Sequence, residues 1–520
     1  MAKWFTTEGP CIPEKHYMVD LAEKLKKIKV MIDREFYFTI NRGRQYGKTT
    51  IIKALKRYLA DDYTMISLSF QRFGDASFAS EKKFCQEFLC AVSTDLKPSG
   101  KDTGWLDESV ETFYSLSRHI TKQCEGKKIV LIIDEVDQAS NHRVFLNFLG
   151  ILRDKYIERS DGEDFTFHSV ILVGVYDVKN IKLKMIQAGA HTPQDGEKQI
   201  NSPWNIAKQF KVDISFSASE IAGMLEDYES DKQTGMNTIE VADKIHFYTN
   251  GYPVLVSSIC RYIDEDLEGQ WNVYGVEEAV RRLVRETDNE LFKSLSQNLE
   301  NNEKVRKLLY DVLILGAKRS FSVDSLSMDL AYRYSYIEEE KEQVKISNRI
   351  FEIRMMNYFI AKEEENQEVA IHGGYIAEIT RGGRFNMPLC LERFMVHWQE
   401  IYSEKEVKFL ERECRIIFLS YLKPILNGVG FSFIETAFTD ARRMDLVVVY
   451  NKKRFVLELK IWKGRLYNEQ GVEQLLGYME KLNEEKGYLL TFDFRKKAEE
   501  FEPKWISHGQ RQIFEARVLK

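Results

Sequence analysis

Short, continuous apolar runs alternate with longer amphipathic stretches along the first 216 residues. The runs lie at 36–39, 65–70, 129–134 and 169–175, and continuous runs of this kind are typical of parallel strands that are buried on both faces. The stretches between them, such as IIKALKRYLA, repeat apolar positions at helical spacing. Strands that alternate with helices predict an α/β core whose parallel sheet is covered on both sides.

The same criteria divide the middle of the chain into three segments. Residues 217–290 show helical patterns without comparable strands, which predicts a helical lid, and either Ser217 or Ser219 could cap its first helix. Residues 291–365 predict helices and a short strand in a winged-helix-like arrangement. The charged and glycine-containing residues 366–388 are predicted to be a linker.

Composition changes this picture in four respects. A chain of 520 residues is longer than one hydrophobic core normally supports, so several domains are expected. The net charge of −5 gives no global basic field, so any contact with nucleic acid must be local. The N-terminus lacks an apolar signal core and no apolar run reaches about 18 residues, which predicts a cytoplasmic protein without membrane contact. The seven scattered cysteines form no CxxC pair, which favours reduced thiols over zinc or disulfides.

The segment NRGRQYGKTT, after the first apolar run, has the chemistry of a phosphate-binding loop. Such a loop needs backbone N–H groups around the anion, a lysine for the outer phosphates and a hydroxyl for Mg²⁺. Gly47, Lys48 and Thr49 supply the end of the GxxxxGK[ST] pattern, but Arg42 stands at the first glycine and Gly43 comes one place late. The predicted ATP-binding residues are Arg42, Gly43, Arg44, Gln45, Tyr46, Gly47, Lys48, Thr49, Thr50 and Asp134.

The run IVLIIDE ends in two adjacent acids and predicts the hydrolytic half of the same site. Asp134 lies 86 residues after Lys48 (134 − 48 = 86), at the carboxyl end of a predicted parallel strand, where α/β proteins bind ligands. Asp134 and Thr49 are predicted to hold Mg²⁺, and Glu135 is predicted to be the catalytic residue that polarises the attacking water. The sequence therefore predicts hydrolysis of ATP as well as binding.

Five segments resemble the AAA-like ATPases close to the archaeal-type and STAND ATPases. They are YFTINRGRQYGKTT, VLIIDEVD, ILVGVYDVKN, SPWNIAKQFKVDISFSASEI and TNGYPVLVSSICRYID, within residues 10–290. Members of that group commonly lack the first glycine of the loop, so Arg42 fits the resemblance. The resemblance implies an ATPase core with a helical lid, in which Arg261 is either a second sensor or a plain surface residue. A γ-phosphate sensor at Tyr176 or Asp177 is left open, and no arginine finger is identified.

A second group of chemically active residues lies in the segment 389–520, which is predicted to be a separate α/β domain. Two β-prone runs, DLVVVY at 445–450 and FVLELK at 455–460, are joined by the four polar residues NKKR and predict a β-hairpin. Because side chains alternate along a strand, Glu458 and Lys460 share a face. The hairpin is therefore expected to present an acid and a base together.

The register of this hairpin decides which other residues join that pair. A turn centred between Lys452 and Lys453 pairs residues whose numbers sum to about 905, which places Asp445 opposite Lys460 and Glu458 on the diagonal. Two carboxylates and a lysine would then converge, as metal-dependent phosphodiester cleavage requires. Asp445 and Glu458 are predicted to be catalytic ligands of Mg²⁺ or Mn²⁺, and Lys460 the catalytic residue that orients or deprotonates the water.

The hairpin and its neighbouring helices resemble the PD-(D/E)xK nuclease superfamily over about residues 405–495. The ExK element is intact, and Met444 replaces the proline, a departure that the superfamily tolerates. Gln474 and Tyr478 match the QxxxY element of the recombination-exonuclease branch. The resemblance implies that Gln474 supports the catalytic residues and that Tyr478 packs or contacts DNA. It also implies that Glu413, on the preceding helix, is an acid that assists the metal.

These features together predict an ATP-binding and ATP-hydrolysing protein that controls or powers metal-dependent cleavage of DNA, with a role in defence or mobile elements by analogy only. Arg442 and Arg443, beside Asp445, are candidate phosphate contacts, whereas the lysines of the turn are expected to be solvated. Two alternatives stay open. One is a nucleotide-dependent switch or assembly protein whose nuclease-like domain binds without cutting, and the other is a ring-forming motor, which would make the protein a homo-oligomer.

Overall fold

The structure, a computed structural model, consists of two compact units. The described residues are 3–100, 104–139, 142–175, 204–208, 210, 212–314, 317, 319–322, 324–366, 374–402, 411–426, 430–433, 446–450, 453–495, 498 and 501–519. The first unit contains the residues up to His246, Asn250–Arg261 and Leu330–Ser335, and the second unit contains the others. Within the described part of the chain, no helix has the length and apolar character needed to cross a membrane.

A parallel four-stranded sheet forms the centre of the first unit. Its strands are β1 Phe38–Asn41, β2 Thr64–Ser69, β3 Ile129–Asp134 and β4 Ser169–Gly174. They are arranged in the order β1-β4-β3-β2, and every neighbouring pair is parallel. Lys208 adds an isolated parallel bridge to Phe38 at the β1 edge. The predicted α/β core with a parallel sheet is therefore confirmed, with the first strand beginning two residues later than its apolar run.

Eight helices of the described residues accompany this sheet. They are α1 Ala22–Asp33, α2 Lys48–Tyr58, α3 Glu81–Leu96, α4 Phe113–Cys124, α5 Arg143–Ser160, α6 Ala218–Lys232, α7 Thr238–Thr249 and α8 Pro253–Arg261. Every residue of β3 and β4 is buried, because helices cover both faces of the sheet. Phe84 and Phe88 of α3 pack on Phe148 of α5 with ring centroids 5.0 Å apart in each case, and all three rings are fully buried.

The start of the predicted lid shows how the sequence sets a helix boundary. Ser217 accepts a hydrogen bond from the Glu220 N–H, and the Glu220 side chain accepts one from the Ser217 N–H, so the two residues form a capping box for α6. Of the two candidate caps, Ser217 is therefore the one used. The predicted lid segment 217–290 is helical in its named elements, and its residues are divided between the two units.

The second unit begins with a helical part followed by a small hairpin. Its helices include α9 Val273–Leu283, α10 Glu290–Asn301, α11 Glu303–Leu313, α12 Leu326–Arg333 and α13 Arg349–Asn366. The last residues of α12 cluster with the first unit. Strands β5 Ile337–Glu340 and β6 Gln343–Ile346 pair in antiparallel fashion between α12 and α13. Helices and a two-stranded hairpin thus occupy the segment 291–365, and its winged-helix-like arrangement stays a prediction.

A mixed six-stranded sheet ends the second unit. Its strands are β7 Gly430–Phe433, β8 Leu446–Tyr450, β9 Lys453–Ile461, β10 Lys486–Asp493, β11 Lys504–His508 and β12 Arg511–Leu519, in the order β11-β12-β10-β9-β8-β7. The three central strands β9, β10 and β12 are parallel. The associated helices are α14 Gly374–Ile379, α15 Met387–Tyr402, α16 Glu411–Leu426 and α17 Arg465–Lys481. Helix α14 and the start of α15 lie within the predicted linker 366–388, of which residues 367–373 are outside the described part.

The hairpin β8–β9 is present, but its register differs from the prediction. Leu446 pairs with Leu457 and Tyr450 with Lys453, so the paired residue numbers sum to 903 rather than 905. The predicted register was wrong by two residues because the turn is shorter than four residues, and Lys453 belongs to β9. A shift of two residues preserves the alternation of side chains, so Glu458 and Lys460 remain on one face.

Candidate functional site

The loop between β1 and α2 has the backbone shape of a phosphate-binding loop. Strand β1 ends at Asn41 and α2 begins at Lys48, so residues 42–47 form the connection. Gly47 has φ +77° and Gln45 has φ +55°. Left-handed residues in such a turn direct consecutive N–H groups to one side, which creates a concave site for an anion at the helix N-terminus.

Lys48 is buried inside this loop and held by backbone oxygens. Its Nζ donates to the carbonyl of Arg42 at 2.9 Å and to that of Gly43 at 2.8 Å. Burial lowers the pKa of Lys48, and the opposing charges of Glu135, Asp137 and Asp134 only partly offset that effect. The lysine is thus desolvated and aimed at the centre of the loop, where an anion would stabilise its charged form.

Thr49 and Asp134 meet at the carboxyl end of β3. The Thr49 hydroxyl donates to Asp134 Oδ2 at 3.2 Å, and the Glu135 N–H donates to Asp134 Oδ1 at 2.9 Å. Burial raises the pKa of Asp134, with a further contribution from the neighbouring Glu135. A divalent cation at this carboxylate would compensate both effects.

Glu135 has an unusual backbone conformation for a residue of its type. Its φ is +56°, a left-handed conformation that costs free energy for a residue with a Cβ. Gly174, at the end of the neighbouring β4, leaves room for this turn, because a Cβ at Gly174 would lie 2.9 Å from Asp137 Oδ2. The same carboxylate oxygen accepts the Val175 N–H at 2.6 Å. The backbone after β3 is therefore held in a strained shape beside Lys48.

The other predicted ATP-binding residues have mostly structural contacts. Arg42 donates its N–H to the Gly174 carbonyl at 3.2 Å and a guanidinium N–H to the Asn41 carbonyl at 3.1 Å. The Thr50 hydroxyl accepts the Cys11 N–H at 3.0 Å, which fixes the N-terminal segment to α2. Arg44 and Gln45 are exposed on the loop.

Two neighbours of the loop were not anticipated from the sequence. The Tyr252 hydroxyl donates to the Arg44 carbonyl at 2.5 Å, and its ring meets the Tyr46 ring edge to face at 4.6 Å. On the other side, Ser335 accepts the Gly43 N–H at 3.1 Å. The GYP turn of the NGYP segment was a signal for the first contact, whereas no local pattern indicates that a serine 292 residues away reaches the loop.

Gly43 is required by this second contact. A Cβ at that position would lie 2.6 Å from the Tyr334 carbonyl oxygen, closer than any real side chain permits. The glycine that comes one place late in the motif therefore permits the close approach of the 334–335 turn. Arg261, the candidate second sensor, donates to the Thr7 hydroxyl at 3.4 Å, and its sensor role stays a prediction. Tyr176 and Asp177 lie outside the described residues.

The C-terminal unit brings Glu458 and Lys460 together as the alternation of β9 predicts. Lys460 Nζ lies 2.8 Å from Glu458 Oε1, and the side chains are 13% and 0% exposed. Neighbouring strands pair with β9 on both sides, since Leu457 faces Leu446 of β8 and Lys460 faces Thr491 of β10. The acid is therefore fully buried in the middle of the sheet, and the lysine provides its counter-charge.

Helix α17 covers this pair and carries the QxxxY residues. A Cβ at Gly471 would lie 3.3 Å from Lys460 Cγ, so a small residue lets the helix pack closely on the lysine. Gln474 follows one turn later, and its buried Oε1 has no hydrogen-bond partner among the residues that the structure describes. Tyr478 is buried another turn along. Gly471 was not predicted, although its place three residues before Gln474 puts it on the same helical face.

The remaining nuclease predictions fall outside what can be described. Asp445, Arg442 and Arg443 lie outside the described residues, and Glu413 is on α16 with a side chain that is not described. Their roles stay predictions. Among the described residues no group of three or more His, Cys, Asp or Glu side chains is placed to hold a metal ion.

Comparison with known proteins identifies the family of the first site. A family model described as "AAA-like domain" matches residues 25–352, which is more than half of the chain. The chain belongs to this AAA-like family. The matched region includes the loop, the acids after β3 and the 334–335 turn. No curated protein matches the chain in sequence.

Several solved structures resemble the AAA-like chain weakly. The Walker-type ATPase PABY2304 of Pyrococcus abyssi is 12% identical, with 67% of this chain and 98% of that chain covered and a TM-score of 0.46. The Aeropyrum pernix ORC2 protein is 11% identical, with 67% of this chain and 97% of that chain covered and a TM-score of 0.33. The Thermotoga maritima RuvB Holliday junction branch migration motor is 12% identical, with 67% of this chain and 95% of that chain covered and a TM-score of 0.32. At these scores the similarities carry no argument about function.

The donor set of the AAA-like site fits a magnesium ion. Thr49 and Asp134 present a hydroxyl and a carboxylate, which are the hard oxygen ligands that Mg²⁺ prefers, and they already touch each other. When bound, the ion would neutralise charge on the phosphates of a nucleotide. The family match ends at residue 352, so the Glu458–Lys460 pair lies outside the AAA-like region.

Proposed function

We propose that this AAA-like protein binds and hydrolyses ATP and that its nucleotide state controls cleavage of DNA by the C-terminal sheet. The observation that carries the first half is the convergence of Lys48, Thr49 and Asp134 at one loop. The second half rests on the buried Glu458–Lys460 pair. Mg²⁺ is the proposed ion at the first site, and Mg²⁺ or Mn²⁺ at the second.

Each residue of the first site has a defined part in hydrolysis. Lys48 exchanges its two backbone carbonyl partners for oxygens of the terminal phosphates, to which it offers a full positive charge. The N–H groups at the start of α2 bind the same anion. Thr49 and Asp134 would hold the magnesium ion. Glu135 orients and polarises the attacking water, and its strained backbone conformation is the expected cost of that placement.

At the C-terminal site, Glu458 is the proposed metal ligand, with Asp445 and Glu413 as the further acids that the superfamily resemblance implies. Lys460 orients or deprotonates the water that attacks the phosphodiester. Gln474 supports these residues from α17, and its buried Oε1 is placed to accept a hydrogen bond in the assembled site. With Glu458 as the metal ligand, Lys460 would be the group that faces the substrate.

The ATPase half is tested by replacing Lys48. Removing one preorganised positive group from a charged transition state typically costs about 100- to 1,000-fold in rate, so Lys48→Ala should lower phosphate release from ATP by that factor. The control is Lys53→Ala, which removes an exposed lysine from the same helix and should leave the rate unchanged. Equal rates for Lys48→Ala and wild type would overturn the proposed ATP site.

The nuclease half is tested with labelled DNA and RNA in Mg²⁺ or Mn²⁺, with and without ATP. Asp445→Ala and Glu458→Gln should each abolish cleavage, whereas Glu480→Gln, which changes an exposed acid of α17, should cut as wild type does. If the wild type cuts neither polymer under any nucleotide condition, the nuclease proposal fails. If Lys48→Ala cuts as fast as wild type in the presence of ATP, nucleotide control fails while the nuclease stands.

A second candidate function has one observation in its favour. Glu458 already has a lysine counter-charge at 2.8 Å, and among the described residues no further acid joins it into a metal site. This arrangement suits a nucleotide-dependent switch whose nuclease-like domain binds nucleic acid without cutting it. Binding of DNA by the wild type in Mn²⁺ without any product would support this candidate over cleavage. A mass measurement with and without ATP tests the homo-oligomer in the same preparation.

A further inference from the structure

Arginine and aromatic side chains are concentrated near the carboxyl ends of the parallel strands in the C-terminal sheet. Paired register places Lys460, Thr491 and Arg517 in one row across β9, β10 and β12. Residues paired in this way project to the same face of a sheet. Neighbouring strands are about 4.8 Å apart, so the backbones of Lys460 and Arg517 are separated by about 10 Å. Arg517 therefore shares a face with the proposed catalytic pair.

Aromatic rings hold the Arg517 guanidinium. Its central carbon lies 4.1 Å from the centre of the Trp462 ring and 4.4 Å from that of the Phe501 ring. A guanidinium packed against rings presents its N–H donors in its own plane, in the fork geometry that matches a phosphate or a carboxylate. The backbone N–H of Trp462 donates to the Phe492 carbonyl at 2.8 Å, which fixes the position of this residue.

Two further cations extend this group. Arg495 lies with its guanidinium carbon 5.1 Å from the Trp462 ring and binds the buried carboxylate of Asp493 through two nitrogens, at 2.9 and 2.7 Å. Burial alone would raise the pKa of Asp493, but the hydrogen bonds from Arg495 outweigh it and lower the pKa. Lys463 is exposed and lies 5.1 Å from the Tyr467 ring, which Lys460 also approaches at 5.9 Å.

Two acids lie among these cations. Glu515 lies two residues before Arg517, and burial raises its pKa despite the neighbouring Arg517. Asp493 is engaged by Arg495. The described cations therefore form a continuous group from Lys460 to Arg517, beside a pair that is proposed to act on a phosphodiester.

We infer that Arg517 and Lys463 bind the backbone phosphates of a nucleic acid and position its phosphodiester at the Glu458–Lys460 pair, with Arg495 held beside them by Asp493. This inference rests on the proposed nuclease site. The recognised chemistry is a phosphate backbone, which single-stranded and duplex DNA both supply. Arg517 positions the backbone, and Lys460 acts at the reacting phosphate.

The test is binding rather than cleavage, so it does not depend on nuclease activity. Fluorescein-labelled 20-mer DNA, single-stranded or duplex, is titrated with the full chain in EDTA at several salt concentrations, and anisotropy gives the Kd. Each phosphate contact contributes about 0.7 for single strands, or 0.9 for duplex, to the slope of log K against log salt. Arg517→Gln should reduce the slope by that amount and weaken binding several-fold at low salt, whereas Arg517→Lys should retain the wild-type slope.

The matched control is Arg511→Gln. Arg511 lies on the same strand and has the same side-chain direction, but six residues earlier, which is about 20 Å along a strand. The slope of log K against log salt for Arg511→Gln should equal that of wild type. Lys463→Gln, which changes an exposed residue, provides a second variant if Arg517→Gln lowers the melting temperature. Slopes unchanged in both Arg517→Gln and Lys463→Gln, or no binding by wild type, would overturn the inference. Arginine-dependent binding without cleavage would instead leave it standing and remove the nuclease proposal.

Discussion

Lys48 and Lys460 belong to two different sites, and the protein neutralises them in different ways. Lys48 donates to the neutral carbonyl oxygens of Arg42 and Gly43, whereas Lys460 faces the full charge of Glu458 at 2.8 Å. A phosphate competes easily with two carbonyl dipoles for a cation, because its charge is larger. It does not compete easily with a buried carboxylate. On the proposed function, Lys48 can therefore engage a phosphate directly, whereas Lys460 is held by its acid.

The acids at the two sites also differ in their partners. Asp134 lies beside Thr49 and Glu135, and burial raises its pKa although Lys48 partly offsets that rise. Glu458 already has its lysine. If both proposals hold, a nucleotide would meet Lys48 without a carboxylate in contact with it, whereas a metal ion at Glu458 would meet an acid that is already paired with Lys460.

The largest expected effect concerns Glu135, the residue proposed to polarise the attacking water. Glu135→Gln keeps the shape of the side chain but removes its ability to polarise water, so ATP hydrolysis should fall by about 100- to 10,000-fold. Nucleotide binding, which depends on Lys48 and the loop, should persist. The measurements are phosphate release and a titration with a fluorescent ATP analogue. Loss of both activities together would show that Glu135 supports the loop instead of the water.

At the second site, Lys460→Met removes the cation that faces a fully buried acid. Removing one partner of a buried ion pair typically costs roughly 3–5 kcal/mol, and the melting temperature should fall accordingly. Adding Glu458→Gln to this variant removes the uncompensated charge, so the double variant should recover part of the loss. Calorimetry of the three proteins provides the comparison. A double variant that melts below Lys460→Met would contradict the pairing as the dominant interaction of Glu458.

A smaller effect is expected from Asp134→Asn without nucleotide. The folded-state pKa of Asp134 is raised, so the ionised carboxylate destabilises the fold above that pKa, and the cost disappears as pH falls below the unfolded value. The variant should therefore melt above wild type at neutral pH, and the difference should shrink on acidification. Melting curves from pH 7.5 to pH 4 test this sign. A variant that is less stable than wild type at neutral pH would contradict it.

The smallest expected effects are those of replacing two glycines of α17. Gly477 has open space around its Cβ position, so Gly477→Ala should stabilise the helix by about 0.5–1 kcal/mol. Gly471→Ala carries the same gain in helix propensity but places a Cβ 3.3 Å from Lys460 Cγ. We therefore expect Gly471→Ala to stabilise the helix less than Gly477→Ala does. Of the two variants, only Gly471→Ala should slow DNA cleavage. Identical behaviour of the two variants would show that α17 can move away from Lys460 without consequence.

Local patterns predicted much of both sites. The apolar runs predicted the strands, because a strand that is buried on both faces needs apolar side chains at every position. The alternation of side chains in FVLELK predicted that Glu458 and Lys460 meet, since that depends only on spacing along one strand. The cap at Ser217 and the place of Lys48 at the start of α2 follow from local hydrogen bonding in the same way.

Predictions failed or stayed open where the outcome depended on contacts between distant segments. The hairpin register was wrong by two residues because turn length is decided by pairing energy across the whole ladder, which polar residues at 451–454 do not reveal. Ser335 was missed at the phosphate loop because no local motif encodes its contact with Gly43. The NGYP segment was a signal for the Tyr252 contact, but it did not specify the hydroxyl and its partner.

The sequence by itself determined which residues carry the chemistry and how they alternate along each element, since covalent spacing and backbone geometry set that order. Only the tertiary structure decided which of these groups are buried and which distant residues join them. The burial of the Glu458–Lys460 pair, the contact of Ser335 with Gly43 and the row from Lys460 to Arg517 all arise where separate strands and turns are brought together. Burial in those places strengthens the electrostatic interactions, and so decides how each site responds to a ligand.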